Sequence, residues 1–107
     1  MKRPSSFVRR GWTREYQARA IMGNPVDPLF RGATSFSLAG AMFAAKVPDT
    51  FWDEVRTRIG QDIATRRWND APGRTQAEVV ALLEEIEALP EFAGLWEEGN
   101  WFSVTSW

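Results

Sequence analysis

The chain contains no cysteine and no histidine. Without cysteine there is no disulfide framework, no thiolate metal site and no thiol nucleophile. Without histidine the commonest metal ligand and the commonest general base near neutral pH are missing as well. These two absences remove most enzyme classes and point to no metal and no cofactor. No apolar run reaches membrane-spanning length, the richest being residues 36–47, and the opening Met-Lys-Arg-Pro-Ser-Ser leads into no signal-peptide core. A cytoplasmic location is the expectation. There is no G-x-G-x-x-G and no GK[ST] loop to cradle phosphates.

What the chain does have is aromatic weight: six Trp and seven Phe in 107 residues, which implies a core built largely from rings. That length supports one domain with one core, residues 1–107. The net charge of -1 conceals a polarity. Residues 1–34 carry seven Lys/Arg against Glu15 and Asp27, while residues 76–107 carry seven Glu and neither Lys nor Arg. Such asymmetry serves a charged partner or lets the two ends attract each other within the fold; the intramolecular reading is the simpler.

Along the chain, residues 1–10 are basic and polar and read as a frayed lead-in. Residues 13–22, "TREYQARAIM", consist mostly of helix formers, yet Tyr16, Ala18 and Ala20 facing inward would equally suit one side of a hairpin; helix is slightly favoured. "SFSLAGAMFAAKV" is apolar nearly all round and is the candidate core helix, over residues 35–46. Pro48-Asp49-Thr50 supplies an N-cap for an amphipathic helix over residues 50–66, with Trp52, Val55, Ile59 and Ile63 on one face. A further helix over residues 76–89 buries Val79, Leu82, Leu83, Ile86 and Leu89, leaves Glu84, Glu85 and Glu87 outside, and ends at Pro90. Residues 91–107 form an acidic, aromatic extension in which Phe92, Leu95 and Trp96 suit a short helix. The fold class is therefore mainly α: a small single-domain helical bundle, with a short hairpin or extended segment near the N-terminus as the open alternative.

The most specific stretch is residues 67–78, "RWNDAPGRTQAE". Thr75 and Glu78 have the spacing of a capping box, in which each side chain accepts from the other residue's backbone N–H. Pro72-Gly73 sets a turn before it, Asn69 and Asp70 suit Asx-turns, and Trp68 would anchor the connection to the core. A structural role thus accounts for most of the motif. The functional alternative gathers Trp68, Asn69, Asp70 and Arg74 around a small polar pocket at the start of the next helix.

The runs "GWTREYQARAIMGNPVDP", "AGAMFAA" and "WNDAPGRTQAEVVALL" resemble a family of small uncharacterised bacterial and phage proteins. That family shares a Gly-Trp start, a Gly-Ala-rich middle helix and a Trp-Asn-Asp-x-Pro-Gly-Arg-Thr signature. The likeness covers residues 11–89. It implies a domain rather than a reaction, because the family carries no established activity. This chain departs from it in a short lead-in before Gly-Trp and in the absence of a middle-helix cysteine, for which Ser37 is the nearest polar substitute. A role resting on that cysteine does not carry over.

The leading functional expectation is a non-catalytic protein-protein interaction module, such as a phage or mobile-element adaptor or inhibitor of a host complex. Its candidate partner-binding residues are Trp96, Glu97, Glu98, Trp101, Phe102 and Trp107, because tryptophan is enriched at binding hot spots and glutamates steer a basic partner. The alternative is a nucleic-acid-binding accessory protein using Arg9, Arg10, Arg14 and Arg19, with Trp12 and Tyr16 available to stack on bases. The acidic second half counts against it. A small enzyme working through carboxylates is a third reading, but no spacing marks a general acid/base pair.

Overall fold

A computed structural model describes residues 1–96. Six helices and two strands lie within them: α1 (Pro4–Arg10), β1 (Ala18–Ala20), β2 (Ala33–Phe36), α2 (Leu38–Ala45), α3 (Asp49–Ile59), α4 (Thr65–Asn69), α5 (Gln76–Glu87) and α6 (Pro90–Ala93). The fold is mainly α, with a two-stranded antiparallel sheet at its side. None of these helices is long and apolar enough to cross a membrane.

Within residues 1–10 the chain forms α1: Pro4 at the first helical position fixes φ, and Arg9 and Arg10 lie in its last turn, where they meet the negative end of the helix dipole. Val8 is fully buried. The N-cap residue Arg3 makes no side-chain cap bond. Glu87 of α5 fills that role instead, accepting from the Ser5 N–H and the Ser5 hydroxyl, each at 2.8 Å. Glu87 therefore leaves the solvated face on which its charge had placed it and is completely buried, while its neighbours Glu84 and Glu85 stay exposed. The basic start and acidic finish of the chain do meet: Arg9 pairs with Glu84, and Arg3 lies 3.6 Å from Glu87.

Residues 13–22 are not helical. Glu15 sits at φ 73, a left-handed conformation that stops any right-handed helix through it, and Ala18–Ala20 instead pair with β2. The register sets Ala18 opposite Phe36, Arg19 opposite Ser35 and Ala20 opposite Ala33, with an irregularity between Arg19 and Ala20. Ala18 faces the core, whereas Tyr16 points outward, 48% exposed. Gly11 runs alongside Phe36, accepting from its N–H at 2.8 Å, and a Cβ on Gly11 would meet the Thr34 carbonyl at 2.4 Å.

Ser37 caps α2 by accepting from the Gly40 N–H at 3.0 Å. Pro48, not a side-chain cap, starts α3, and Asp49 in its first turn complements the dipole. The helix ends at Ile59 rather than near residue 66, because Gly60 takes φ 101 and turns the chain; Ile63 then falls outside the helical stripe. The expected capping box is present, with the Glu78 N–H donating to Thr75 Oγ1 at 3.2 Å and the Thr75 N–H to Glu78 Oε1 at 3.0 Å. Pro90 opens α6 as well as closing off α5, and brings Phe92 inward.

One core results. Phe36, Leu38, Met42, Phe51, Val55, Ile59, Val79, Leu83, Ile86 and Phe92 belong to it, with Leu82 partly buried against it. Each of the larger side chains removed from water contributes about 1.5–3 kcal/mol. Phe51 is fully buried, with ring centroids 5.2 Å from Phe92 and 6.1 Å from Trp96.

Candidate functional site

The signature loop follows α4, whose last residue is Asn69. Asn69 is 1% exposed and uses its whole amide. Its Oδ1 accepts from the Trp12 indole at 2.8 Å and from the Leu38 backbone N–H at 3.0 Å; its Nδ2 donates to the Thr13 carbonyl and to Asp70 Oδ1, each at 3.0 Å. One side chain thus ties the Gly-Trp segment, the start of α2 and the signature loop together. A buried amide left without these partners would be costly, which explains the demand for asparagine here.

Asp70 is held just as closely. Both its oxygens accept from the Glu15 N–H, at 3.1 and 3.2 Å, and this bond supports the left-handed turn at Glu15. Arg66 approaches the same carboxylate at 3.8 Å. Arg74 lies over the Trp68 ring, 3.8 Å from its centroid, while its Nε donates to the Trp68 carbonyl at 2.9 Å and its Nη1 reaches Glu78 at 3.3 Å. Arg14 stacks over Trp12 at 5.0 Å and donates to the Arg74 carbonyl at 2.7 Å. Trp68 is half-buried, one face against the core and the other under the guanidinium. An open cavity of about 300 Å³ borders this cluster, reached by Glu15, Gln17, Ser37, Arg66 and Asp70. The four proposed loop residues do converge, but their polar atoms bind one another and the backbone. Among the described residues no buried side-chain nitrogen or oxygen lacks a partner, and no cluster of three acidic side chains is placed to hold a metal ion.

The four arginines of the nucleic-acid reading all have contacts within the fold. Arg9 pairs with Glu84; Arg14 is engaged as above; Arg19 donates to Thr13 Oγ1 at 2.7 Å and to the Gly23 carbonyl at 2.8 Å while covering the Tyr16 ring. Arg10 stands over Phe7 at 5.9 Å. Of the expected partner-binding residues, Trp96 is 3% exposed: it packs edge-on against Phe51, and its indole donates to the Glu87 carbonyl at 2.9 Å. It is a core residue because α6 turns the chain back over α3 and α5. Glu97, Glu98, Trp101, Phe102 and Trp107 lie outside the described residues.

The sequence reading missed a different surface. Leu29 is 60% exposed, Phe30 53%, Phe43 46% and Ile63 42%. They are connected. Leu29 and Phe43 flank one open cavity of about 220 Å³, and Leu29 and Phe30 flank another of about 190 Å³. Phe43 packs against Trp52 with ring centroids 4.9 Å apart and planes tilted by 56°, and Trp52 and Ile63 line a third cavity of about 390 Å³. The signal was available in α2, whose apolar residues surround the helix. Leu38 and Met42 fill the core and leave Phe43 on the opposite side.

No curated protein and no solved structure matches the chain. Over residues 7–89, from the second turn of α1 through the end of α5, it matches a family described as "Family of unknown function (DUF6197)", and with that span covering most of its length the chain belongs to this family.

Proposed function

We propose that this chain is a non-catalytic protein-protein interaction module whose docking face is the apolar strip formed by Phe30, Leu29, Phe43, Trp52 and Ile63. The observation that carries this reading is the exposure of four large apolar side chains on connected surface, beside a signature cluster whose polar groups are already committed internally. Contiguous exposed apolar surface is costly to keep in water and commonly marks an interaction site. Aromatic anchors such as Phe43 and Trp52 supply contact area at low conformational cost. In the phage setting suggested by the sequence resemblance, such a module would serve as an adaptor or inhibitor of a host complex. The nucleic-acid reading has weaker support, since Arg9, Arg14 and Arg19 have partners within the fold.

A photo-reactive phenylalanine analogue at position 43 tests this reading, with the same group at Arg67 as a control outside the strip. Cross-linking in the native cell to one defined protein from position 43 and not from position 67 is the expected result. Equal cross-linking from both positions, or none from 43, contradicts it.

A further inference from the structure

The charges around the apolar strip are of both signs, and they are sorted by position. Leu29 borders two cavities. Phe43 and Asp27 border one of them, whereas Phe30, Arg10 and Arg31 border the other. Asp27 accepts from the Leu29 N–H at 2.8 Å through one carboxylate oxygen, and Arg10 stands over the Phe7 ring. Among the described residues, Asp27, Arg10 and Arg31 form no ion pair.

A complementary occupant offers apolar surface to Leu29, a positive group to Asp27 and a negative group to Arg31. The face itself carries that set. Turned about a two-fold axis beside Leu29, a second copy brings its Phe30 toward Phe43 and its Arg31 toward Asp27, once on each side of the axis. This is the condition for an isologous interface, in which one patch serves both subunits and every unlike contact occurs twice. Facing aromatic rings add to the area they bury. The net charge of -1 leaves little overall repulsion between copies.

We infer that the strip docks a second copy of this chain, in a two-fold dimer centred on Leu29. This rests on the reading of the strip as a docking face and names its occupant. Leu29 lies against its own counterpart, Phe43 against Phe30 of the second copy, and Asp27 against Arg31 of the second copy, with Arg10 beside that pair. Trp52 and Ile63 extend the apolar surface beyond Phe43. The charges fix the register, because an alignment of like on like would set Asp27 against Asp27 and Arg31 against Arg31.

Sedimentation equilibrium of the purified full chain tests this, with circular dichroism confirming that each variant is folded. The expected result is a dimer whose dissociation constant rises at least tenfold with Leu29→Ser/Phe43→Ser. Asp27→Asn keeps the oxygen that accepts from the Leu29 N–H and removes only the charge, so it should weaken the dimer at least several-fold. Asp27→Lys and Arg31→Glu should each weaken it alone, while an equimolar mixture of the two associates again, because both contacts of the mixed pair then join opposite charges. A chain that stays monomeric up to about 1 mM overturns the proposal. So does a dimer indifferent to Leu29→Ser/Phe43→Ser, or one that Asp27→Asn leaves unchanged. If the chain is monomeric while cross-linking from position 43 captures a different protein, the second copy fails and the docking face stands. If a dimer forms that neither the strip substitutions nor cross-linking from position 43 detects, the docking reading fails with it.

Discussion

The indole of Trp12 donates to Asn69 Oδ1 at 2.8 Å across 57 residues of sequence, and the same oxygen receives the Leu38 N–H that opens α2. This pair explains why a Gly-Trp start and a Trp-Asn-Asp signature belong to one domain. Asn69→Ala strands the Trp12 and Leu38 donors and the Thr13 carbonyl, so it should cost about 2–4 kcal/mol. Asn69→Asp keeps the acceptor but turns oxygen toward the Thr13 carbonyl and Asp70. Its denaturant midpoint should fall at pH 7 and partly recover on acidification. An unchanged midpoint for both variants would mean that the buried amide is dispensable.

Gly40 lies in α2 where a Cβ would stand 1.8 Å from the Gln17 carbonyl. Alanine normally favours a helix over glycine by about 1 kcal/mol. Here the close approach reverses the sign. Gly40→Ala should destabilise by about 2 kcal/mol or more, since the obstacle is backbone that can yield only by shifting β1 away from α2. Thermal unfolding checks the direction, and a rise in melting temperature would refute the packing.

Thr75→Ala removes one half of the capping box of α5 and should cost about 1 kcal/mol. Because Thr75 and Glu78 border none of the cavities along the strip, partner capture by the folded variant should be unchanged. Urea titration and capture assays on one preparation measure both.

How much of this was legible in the sequence follows from the range of each interaction. The capping box spans three residues and could be read directly, as could Val79, Leu83 and Ile86 in α5; the stripe of α3 was read only in part, because Phe51 rather than Trp52 fills the core beside Val55 and Ile59, and Ile63 is exposed. Asn69 could not, because its partners lie at Trp12, Thr13 and Leu38 and no local pattern announces them. Glu87 was misplaced by residue type, although it continues the spacing of the buried Val80 and Leu83. Gly60 was the readable sign that α3 stops early, overlooked because Ile63 prolonged the helical period. The hairpin was one of two open readings of residues 13–22, decided by the turn at Glu15 that Asp70 supports from another part of the chain. Trp96 carried a hot-spot residue type into a core position.

Burial raises the Glu87 carboxyl above the ordinary carboxylate range, against the opposing pull of the Ser5 N–H, the Ser5 hydroxyl and Arg3. The folded state then binds the proton more tightly than the unfolded chain does. Its contribution to stability is complete below the unfolded carboxylate pKa and declines as pH rises from there through the raised value. Glu87→Gln should remove that component, so that its stability profile is flatter than wild type over the same window. Parallel urea titrations across that range compare the two; an equal slope for both proteins would assign the pH dependence to other groups.

Docking of a protein partner on the exposed apolar strip, as proposed, is tested by quantitative affinity capture from the native cell using folded wild type, the Leu29→Ser/Phe43→Ser double variant and the Arg9→Ala/Arg14→Ala double variant, whose arginines border none of the strip's cavities. One protein should be recovered by wild type and by the arginine variant, with recovery reduced at least tenfold by the strip variant. Equal recovery by all three, or selective loss of bound nucleic acid with the arginine variant, would contradict it.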